Sequence, residues 1–139
     1  MQAGALRIRA IAALAPVAQD IVVAGHDRAD IRFLIFPHLA GCRSLGPEVE
    51  NLNELLTDAR VRDCASAGLA QLKAEGGGSS TYATCALFLL EPPSIDAGEI
   101  TDKGYVNQRA VLERRVESVA QLYATPLPDA VIIFKQKES

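Results

Sequence analysis

The order of apolar runs in this sequence predicts an α+β domain, in which a small three-stranded sheet, with one candidate edge strand, is backed by helices on one side. Three observations lead to this prediction. Two short β-rich runs flank a turn-forming segment, a long helical pattern ends in a run of glycines, and a third apolar run precedes a loop and a last amphipathic helix. With 139 residues, 49% of them hydrophobic, we expect residues 1–139 to form a single domain around one core.

The first third of the chain predicts a helix followed by an antiparallel hairpin. Ala5–Leu14 is rich in alanine and leucine, which favour helix, and Pro16 ends it. Val17–Gly25 and Ile31–Phe36 are apolar runs rich in β-branched or aromatic residues, which are typical of buried strands. The glycine, histidine and aspartates between them favour a turn, so we expect the two strands to pair antiparallel.

The middle of the chain predicts helix and then a central strand. We interpret Leu39–Gly46 as a connector and residues 47–75 as one long helix or a helical pair, starting at Pro47. Gly76–Ser80 ends the helical pattern. The run Thr81–Leu90 is apolar enough to be a central strand that is covered on at least one face of the sheet.

The last third predicts a loop, one long helix and a short edge strand. Ile95–Tyr105 has the composition of a loop, with a candidate short strand at Glu99–Thr101, and Asn107 suits the N-cap of a helix. Val131–Phe134 is the candidate edge strand. Five apolar residues form one stripe along the predicted helix: Val111, Leu112, Val116, Val119 and Leu122. Four charged residues fall largely outside that stripe: Glu113, Arg114, Arg115 and Glu117.

Composition argues against several classes of protein. A net charge of −3, dispersed basic residues and the lack of tryptophan disfavour nucleic-acid binding. No apolar run reaches the roughly 18 residues of a membrane-spanning helix, and Arg7 and Arg9 interrupt the N-terminal run that could be mistaken for a signal peptide. We therefore expect a cytoplasmic protein with reduced thiols that binds neither nucleic acid nor membrane. Because the sequence begins directly in an apolar helix, we also expect it to be part of a longer protein.

Several polar groups are weaker candidates for a site. Gly76–Ser80 could form a backbone nest for phosphate, but no lysine follows it, so a flexible connector is the better interpretation. His26 and His38 occupy turn positions, without neighbours that indicate metal binding or acid–base catalysis. No GxSxG, GxGxxG or GxxxxGK[ST] motif occurs. The cysteines form no CxxC pair and indicate core residues rather than zinc ligands or nucleophiles: Cys42, Cys64 and Cys85.

The segment Gly98–Arg109, GEITDKGYVNQR, contains the strongest candidate, Lys103. Gly104 beside it adds no side chain, so a ligand can approach the lysine closely. A compact ammonium group suits the charge that develops on a phosphate or acyl-phosphate oxygen. The alternative is an idle, solvated loop lysine. In the same way, Arg7 and Arg9 either meet phosphates at a domain interface or only mark an exposed helix start.

Three stretches in order along the chain carry a resemblance to a known family. They are residues 3–16 (AGALRIRAIAALAP), residues 19–37 (QDIVVAGHDRADIRFLIFP) and residues 99–115 (EITDKGYVNQRAVLERR). They resemble the start, the hairpin and the closing segment of the C-terminal domain of AMP-forming acyl-CoA synthetases, most closely feruloyl-CoA synthetases. The lysine motif differs from the usual one. The family usually has glycine before the lysine and an aliphatic residue after it, whereas here Asp102 precedes the lysine and Gly104 follows it.

This resemblance implies that the chain is the mobile C-terminal domain of a longer ligase, whose partner is the N-terminal adenylation domain of the same enzyme. Lys103 corresponds to the lysine that promotes activation of an aromatic or hydroxycinnamic acid by ATP. Gly4, Arg7, Thr101 and Gly104 are the implied cofactor-binding residues, and the region around Gly4 lines the passage for CoA. ATP and Mg²⁺ are bound mainly by the N-terminal domain, and no metal site is implied in this chain.

An alternative from another class is a stand-alone α+β binding or interaction module without catalysis. An isolated C-terminal domain would itself be inactive, because the acid pocket lies in the other domain. The two interpretations predict different surfaces. A domain that docks should expose apolar residues near its N-terminal helix and the 99–106 loop, and a stand-alone module should not.

Overall fold

A four-stranded sheet with helices packed on it confirms the predicted α+β class. The segments of the chain that the computed structural model describes are residues 3–25, 31–46, 51–75, 83–104, 106–124, 126–128 and 131–133. The strands are adjacent in the sheet in the order in which they occur in the sequence.

The N-terminal helix and the hairpin lie where the sequence predicts them. Helix α1 spans Ala3–Ala13, strand β1 spans Ala18–Ala24 and strand β2 spans Ile31–Pro37. β1 and β2 pair antiparallel, with Ile21 opposite Ile35. The hairpin is therefore confirmed, and the turn that joins its strands lies outside the described residues.

The predicted connector after the hairpin forms a short helix instead. This helix, α2, spans Leu39–Ser44. His38 caps it, because its Nδ1 accepts a hydrogen bond from the Gly41 backbone N–H at 2.9 Å. Gly41 also allows a close approach, since a Cβ at this position would lie 1.8 Å from the carbonyl oxygen of Pro16. The prediction was wrong because so short a helix has no measurable periodicity and depends on a cap and a tertiary contact.

Two helices form the crossover to the third strand. α3 spans Leu52–Thr57 and is capped by Asn51, and α4 spans Ala59–Glu75, so the helical pair is the correct alternative. The predicted start at Pro47 and the glycine run that follows α4 lie outside the described residues. β3 spans Ala83–Phe88 and pairs parallel with β2, which requires such a crossover.

The predicted central and edge strands are both present. β4 spans Ile132–Ile133 and pairs antiparallel with β3, with Cys85 opposite Ile133. β3 consequently lies between β2 and β4 and is a central strand, as its apolar composition predicts. The short β4 is the edge strand that the sequence placed at Val131–Phe134.

Helices cover both faces of the sheet, whereas the sequence analysis placed them on one side. α5 spans Gln108–Arg114 and α6 spans Val116–Leu122. These two helices pack on one face of the sheet, and α1, α3 and α4 pack on the other. The side of the sheet beneath α5 and α6 is lined by buried apolar residues that include Val22, Leu34 and Leu87. Strands that are apolar on both sides need cover on both sides, which is why the predicted one-sided cover was wrong.

The last predicted helix is broken in two at Arg115, whose φ of −108° and ψ of 40° are not helical. Val111 and Leu122 are buried as the apolar stripe predicts. Val116, just after the break, is 62% exposed, so its place in the stripe was wrong. Asn107 caps α5 as predicted, because its side chain accepts a hydrogen bond from the helix backbone at 3.1 Å.

Candidate functional site

The loop of residues 99–107, called the lysine loop below, is closed at its base by backbone pairing. The Asn107 N–H donates to the Glu99 carbonyl oxygen, with an N···O distance of 2.7 Å. Ile100 and Val106 then form an antiparallel bridge. The short strand predicted around Glu99 is thus reduced to a single bridge, which keeps the loop narrow.

Lys103 lies at the tip of the lysine loop, and its side chain is exposed. The turn at the tip is held by the Gly104 N–H, which donates to the Thr101 carbonyl oxygen at 2.9 Å. Gly104 has a φ of +85°, a backbone conformation that favours glycine, and a Cβ built there would meet nothing within 4 Å. The space beside Lys103 is therefore open to a ligand, and glycine is required by the backbone rather than by crowding.

Beneath the lysine loop lies a buried carboxylate that the sequence analysis did not single out, that of Glu99. Its Oε2 accepts a hydrogen bond from Arg115 Nε at 2.8 Å, and its Oε1 accepts one from Arg115 Nη2 at 3.0 Å. Oε1 also accepts from Arg114 Nη1 at 3.1 Å and from the Ser94 N–H at 2.8 Å. The hydrogen bonds from Arg115 hold the pKa of the Glu99 carboxyl below its ordinary value, although burial acts in the opposite direction.

Arg115 joins three segments of the chain through one guanidinium group. Besides binding Glu99, it donates to the carbonyl oxygens of Glu91 at 2.8 Å and Pro92 at 2.9 Å, just after β3. Its guanidinium carbon lies 5.1 Å from the centre of the Phe36 ring in β2. Sequence reasoning missed this role because two adjacent arginines in a helical pattern indicate an exposed face, and nothing local distinguishes the one that is buried.

The far end of the lysine loop is fixed to the edge of the sheet. The Gln108 side chain accepts a hydrogen bond from the Val23 N–H at 2.9 Å and donates one to the Ile21 carbonyl oxygen at 2.9 Å. Its amide group therefore pairs with the edge strand β1 much as a neighbouring strand would. With Glu99 held by Arg115, both ends of the loop are anchored.

Arg7, an implied cofactor-binding residue, forms a bidentate ion pair with Asp20. The Nε–Oδ1 distance is 2.6 Å and the Nη2–Oδ2 distance is 2.9 Å. Because this guanidinium already engages a carboxylate, it is less available to a phosphate than the sequence suggests. Arg9 is exposed, and Gly4 lies in the first turn of α1.

A cavity of about 250 Å³ lies between the lysine loop and the ends of β1 and β2. Asp20, the partner of Arg7, and Gly104, the neighbour of Lys103, both line it. Most of its other walls are apolar, and Leu39 and Leu90 among them are 43% and 52% exposed. Of the site residues predicted from the sequence, Gly104 lines this cavity, and Arg7 is connected to it through its ion pair with Asp20. A larger cavity of about 490 Å³ lies beside α3 and α6, and its walls include neither Lys103 nor Gly104.

The remaining sequence candidates do not assemble into a site among the described residues. His38 serves as a helix cap, and His26 and Gly76–Ser80 lie outside the described segments. Burial raises the pKa of the Cys42 thiol to about 11 and also raises that of Cys64, so both are poor nucleophiles near neutral pH. No group of three or more metal-ligating side chains occurs in the part of the chain that the structure describes. Over the same segments, no helix is both long enough and apolar enough to cross a membrane.

Comparison with known proteins finds similarity in structure. No protein-family model and no curated sequence matches the chain. One similar solved structure is the A-PCP didomain of carboxylic acid reductase from Segniliparus rugosus in complex with AMP, with a TM-score of 0.65 and 19% identity over 88% of this chain and 16% of that one. Another is the A domain of carboxylic acid reductase from the same organism, in complex with AMP and a co-purified carboxylic acid, with a TM-score of 0.59 and 20% identity over 85% of this chain and 18% of that one.

These two similarities support a conclusion about the fold of this chain and not about its activity. The chain spans less than a fifth of the length of either carboxylic acid reductase chain. At this level of identity a structural match establishes the fold and leaves activity to be argued from the site. This protein therefore shares the fold of one part of carboxylic acid reductase.

Proposed function

We propose that this chain is the C-terminal domain of an ATP-dependent, AMP-forming acyl-CoA synthetase and that Lys103 promotes formation of the acyl-adenylate. The observation that carries the proposal is the lysine loop, which presents an exposed lysine at the tip of a narrow loop with both ends anchored. The likeness in fold to part of carboxylic acid reductase, whose two structures contain AMP, supports the same class of chemistry. The resemblance of residues 99–115 to the closing segment of these synthetases supports it independently.

Acyl-adenylate formation is a step in which a mobile lysine can act without transferring a proton. A carboxylate oxygen of the acid bonds to the α-phosphorus of ATP, the bond from that phosphorus to the bridging oxygen breaks, and pyrophosphate leaves with the bonding electrons. Negative charge accumulates on the phosphate oxygens in this transition state. The ammonium group of Lys103 would neutralise part of that charge when the loop tip enters the active site.

The proposed partner is the N-terminal adenylation domain of the same enzyme, which would bind the acid, ATP and Mg²⁺. No group of three or more metal-ligating side chains occurs among the described residues of this chain, so the proposal assigns Mg²⁺ to the other domain. Thr101 and Gly104, which form the turn around Lys103, are proposed to contact the nucleotide. The proposed substrate is an aromatic or hydroxycinnamic acid, on the strength of the sequence resemblance to feruloyl-CoA synthetases.

Thioester formation is the proposed second step, in which the thiol of CoA attacks the acyl-adenylate and AMP leaves. Gly4 and Arg7 are proposed to border the passage for CoA. Because Arg7 is bidentate on Asp20, its proposed part is to hold α1 against β1 beside the cavity rather than to bind a phosphate. The cavity that Asp20 and Gly104 line is the candidate path for the pantetheine arm.

Exposed apolar side chains favour a docking domain over a stand-alone module. Leu39 and Leu90 border the cavity, Ile8 lies on α1 and Ile95 precedes the lysine loop, and all four are exposed. These positions are near the N-terminal helix and the lysine loop, where a face that is covered in a longer enzyme should be apolar.

Complementation tests the proposal. This chain is mixed with the separately expressed N-terminal domain of a feruloyl-type synthetase, and pyrophosphate release and feruloyl-CoA formation are followed. Lys103→Ala should slow adenylation by about a hundredfold or more, the usual loss when one group that stabilises transition-state charge is removed. Lys73→Ala, the same change at an exposed lysine in α4, is the matched control and should behave as the wild type.

Two negative results of this experiment would contradict different parts of the proposal. Equal adenylation rates with Lys103→Ala and the wild type would refute the role given to the lysine. Failure of the wild-type chain to stimulate either step would count against the assignment as a C-terminal domain.

A further inference from the structure

The lysine loop is held by charged groups as well as by backbone pairing. We call the buried Glu99 carboxylate together with Arg114 and Arg115 the Glu99 clamp. Its three arginine–carboxylate hydrogen bonds are 2.8 to 3.1 Å long and are charge-assisted, so each is stronger than a neutral hydrogen bond. The bonds from Arg115 to the carbonyl oxygens of Glu91 and Pro92 attach the clamp to the end of β3.

The clamp acts at the residue where the lysine loop begins. The Glu99 N–H donates to the Ser94 carbonyl oxygen at 2.9 Å, and the Glu99 carbonyl accepts the bond from Asn107 that closes the loop. Side chain and backbone of one residue therefore fix both the start of the loop and its closure. Lys103 follows four residues later, within the segment whose start Glu99 fixes.

The tip of the lysine loop lies at the surface. Asp102, Lys103 and Gly104 are all exposed, and a Cβ on Gly104 would meet nothing within 4 Å. The two anchored ends of the loop therefore help to set the position of the lysine. Of the two, only the Glu99 end is held by buried charges.

We propose that Glu99 is a positioning residue, which acts through Arg115 to hold the lysine loop in the geometry that brings Lys103 to the reacting phosphate. This inference rests on the function proposed above for Lys103. A reacting group that is misplaced by about 1 Å can cost about a hundredfold in rate. Loss of the clamp should therefore lower the rate of adenylation, while the affinity for ATP, which the other domain binds, stays the same.

Limited proteolysis tests the clamp in this chain alone, without any assumption about activity. Trypsin needs an extended segment of chain around the bond that it cuts, so cleavage after Lys103 should become faster as the population of the open lysine loop rises. Glu99→Gln removes the charge, keeps the shape and leaves every trypsin site in place. We expect cleavage at Lys103 to become about tenfold faster, because a charge-assisted hydrogen bond in a buried site is lost.

Two further variants serve as a matched control and as a milder change to the Glu99 clamp. Glu113→Gln makes the same chemical change in the exposed Arg109–Glu113 pair. Trypsin should cleave this variant after Lys103 at the wild-type rate. Arg114→Gln removes the half-exposed partner of Glu99, together with an exposed ion pair to Glu91 at 3.7 Å, and should give a smaller increase, even if Glu99→Gln proves too unstable to study. Cleavage after Arg9 and Arg43 reports general unfolding and should increase less than cleavage after Lys103.

Adenylation kinetics with the complementing N-terminal domain supply the second readout. The clamp variants should lower kcat by about tenfold or more with an unchanged KM for ATP, a separation that general loss of structure would not produce. Unchanged cleavage at Lys103 in both clamp variants, or faster cleavage with unchanged kcat, would overturn the proposal. If the wild-type chain itself gives no activity, the proposed function fails and the positioning role fails with it, while the cleavage rates still decide whether Glu99 holds the loop.

Discussion

Arg115→Met is expected to destabilise this protein by about 3–5 kcal/mol, because it removes the buried counter-charge of the buried Glu99 carboxylate. The side chains of Glu99 and Arg115 are 0% and 8% exposed. Methionine fills much of the same space, so the expected loss comes from charge and hydrogen bonding rather than from a cavity.

The contacts place the expected value near the lower end of that range. The substitution removes two hydrogen bonds to Glu99 and one to each of the carbonyl oxygens of Glu91 and Pro92. Glu99 keeps the bonds from Arg114 and from the Ser94 N–H, so the expected loss is about 3 kcal/mol. The double change of Arg115→Met with Glu99→Gln should recover about 1 kcal/mol or more, since no unpaired buried charge is left.

Urea unfolding followed by circular dichroism measures this loss. A decrease of about 3 kcal/mol should lower the midpoint by about 1.5 M urea, for a slope of about 2 kcal/mol/M in a small domain. The matched control is Arg109→Met in the exposed pair with Glu113, which should cost less than about 1 kcal/mol. A loss below about 1 kcal/mol for Arg115→Met would refute the conclusion that the clamp stabilises the fold.

Two other predictions follow from the pKa shifts. Because the pKa of Glu99 is lowered in the folded protein, its contribution to stability is present above the ordinary glutamate pKa of about 4.3 and is lost as the pH falls through the lower folded-state value. The difference in unfolding free energy between the wild type and Glu99→Gln should therefore shrink as the pH falls below about 4.3, and a constant difference would contradict the shift. Since burial raises the pKa of Cys42 to about 11, only roughly one thousandth of it is thiolate at pH 8, so iodoacetamide should modify Cys64 well before Cys42. Peptide mapping by mass spectrometry checks the order, with the urea-unfolded chain as control, and equal rates in the folded chain would contradict it.

Local patterns in the sequence were sufficient for most of the secondary structure. The apolar runs predicted β1, β2 and β3, and the cap at Asn107 was correct, because strands and caps depend on residue types that lie close together in the chain. The same patterns led to two errors. They missed α2, which depends on a contact between Gly41 and Pro16, and they joined α5 to α6 across Arg115.

Some residues of the candidate site could also be predicted from the sequence, and others could not. The sequence by itself determined that Lys103 lies in a polar loop beside Gly104, since composition marks loops and glycine marks turns. Only the tertiary structure decided that Glu99 is buried on Arg115 and that Gln108 pairs with the edge of β1. The physical reason is that a charged side chain is buried only where a partner compensates it, and that partner is brought near by the packing of distant elements, which no local pattern records.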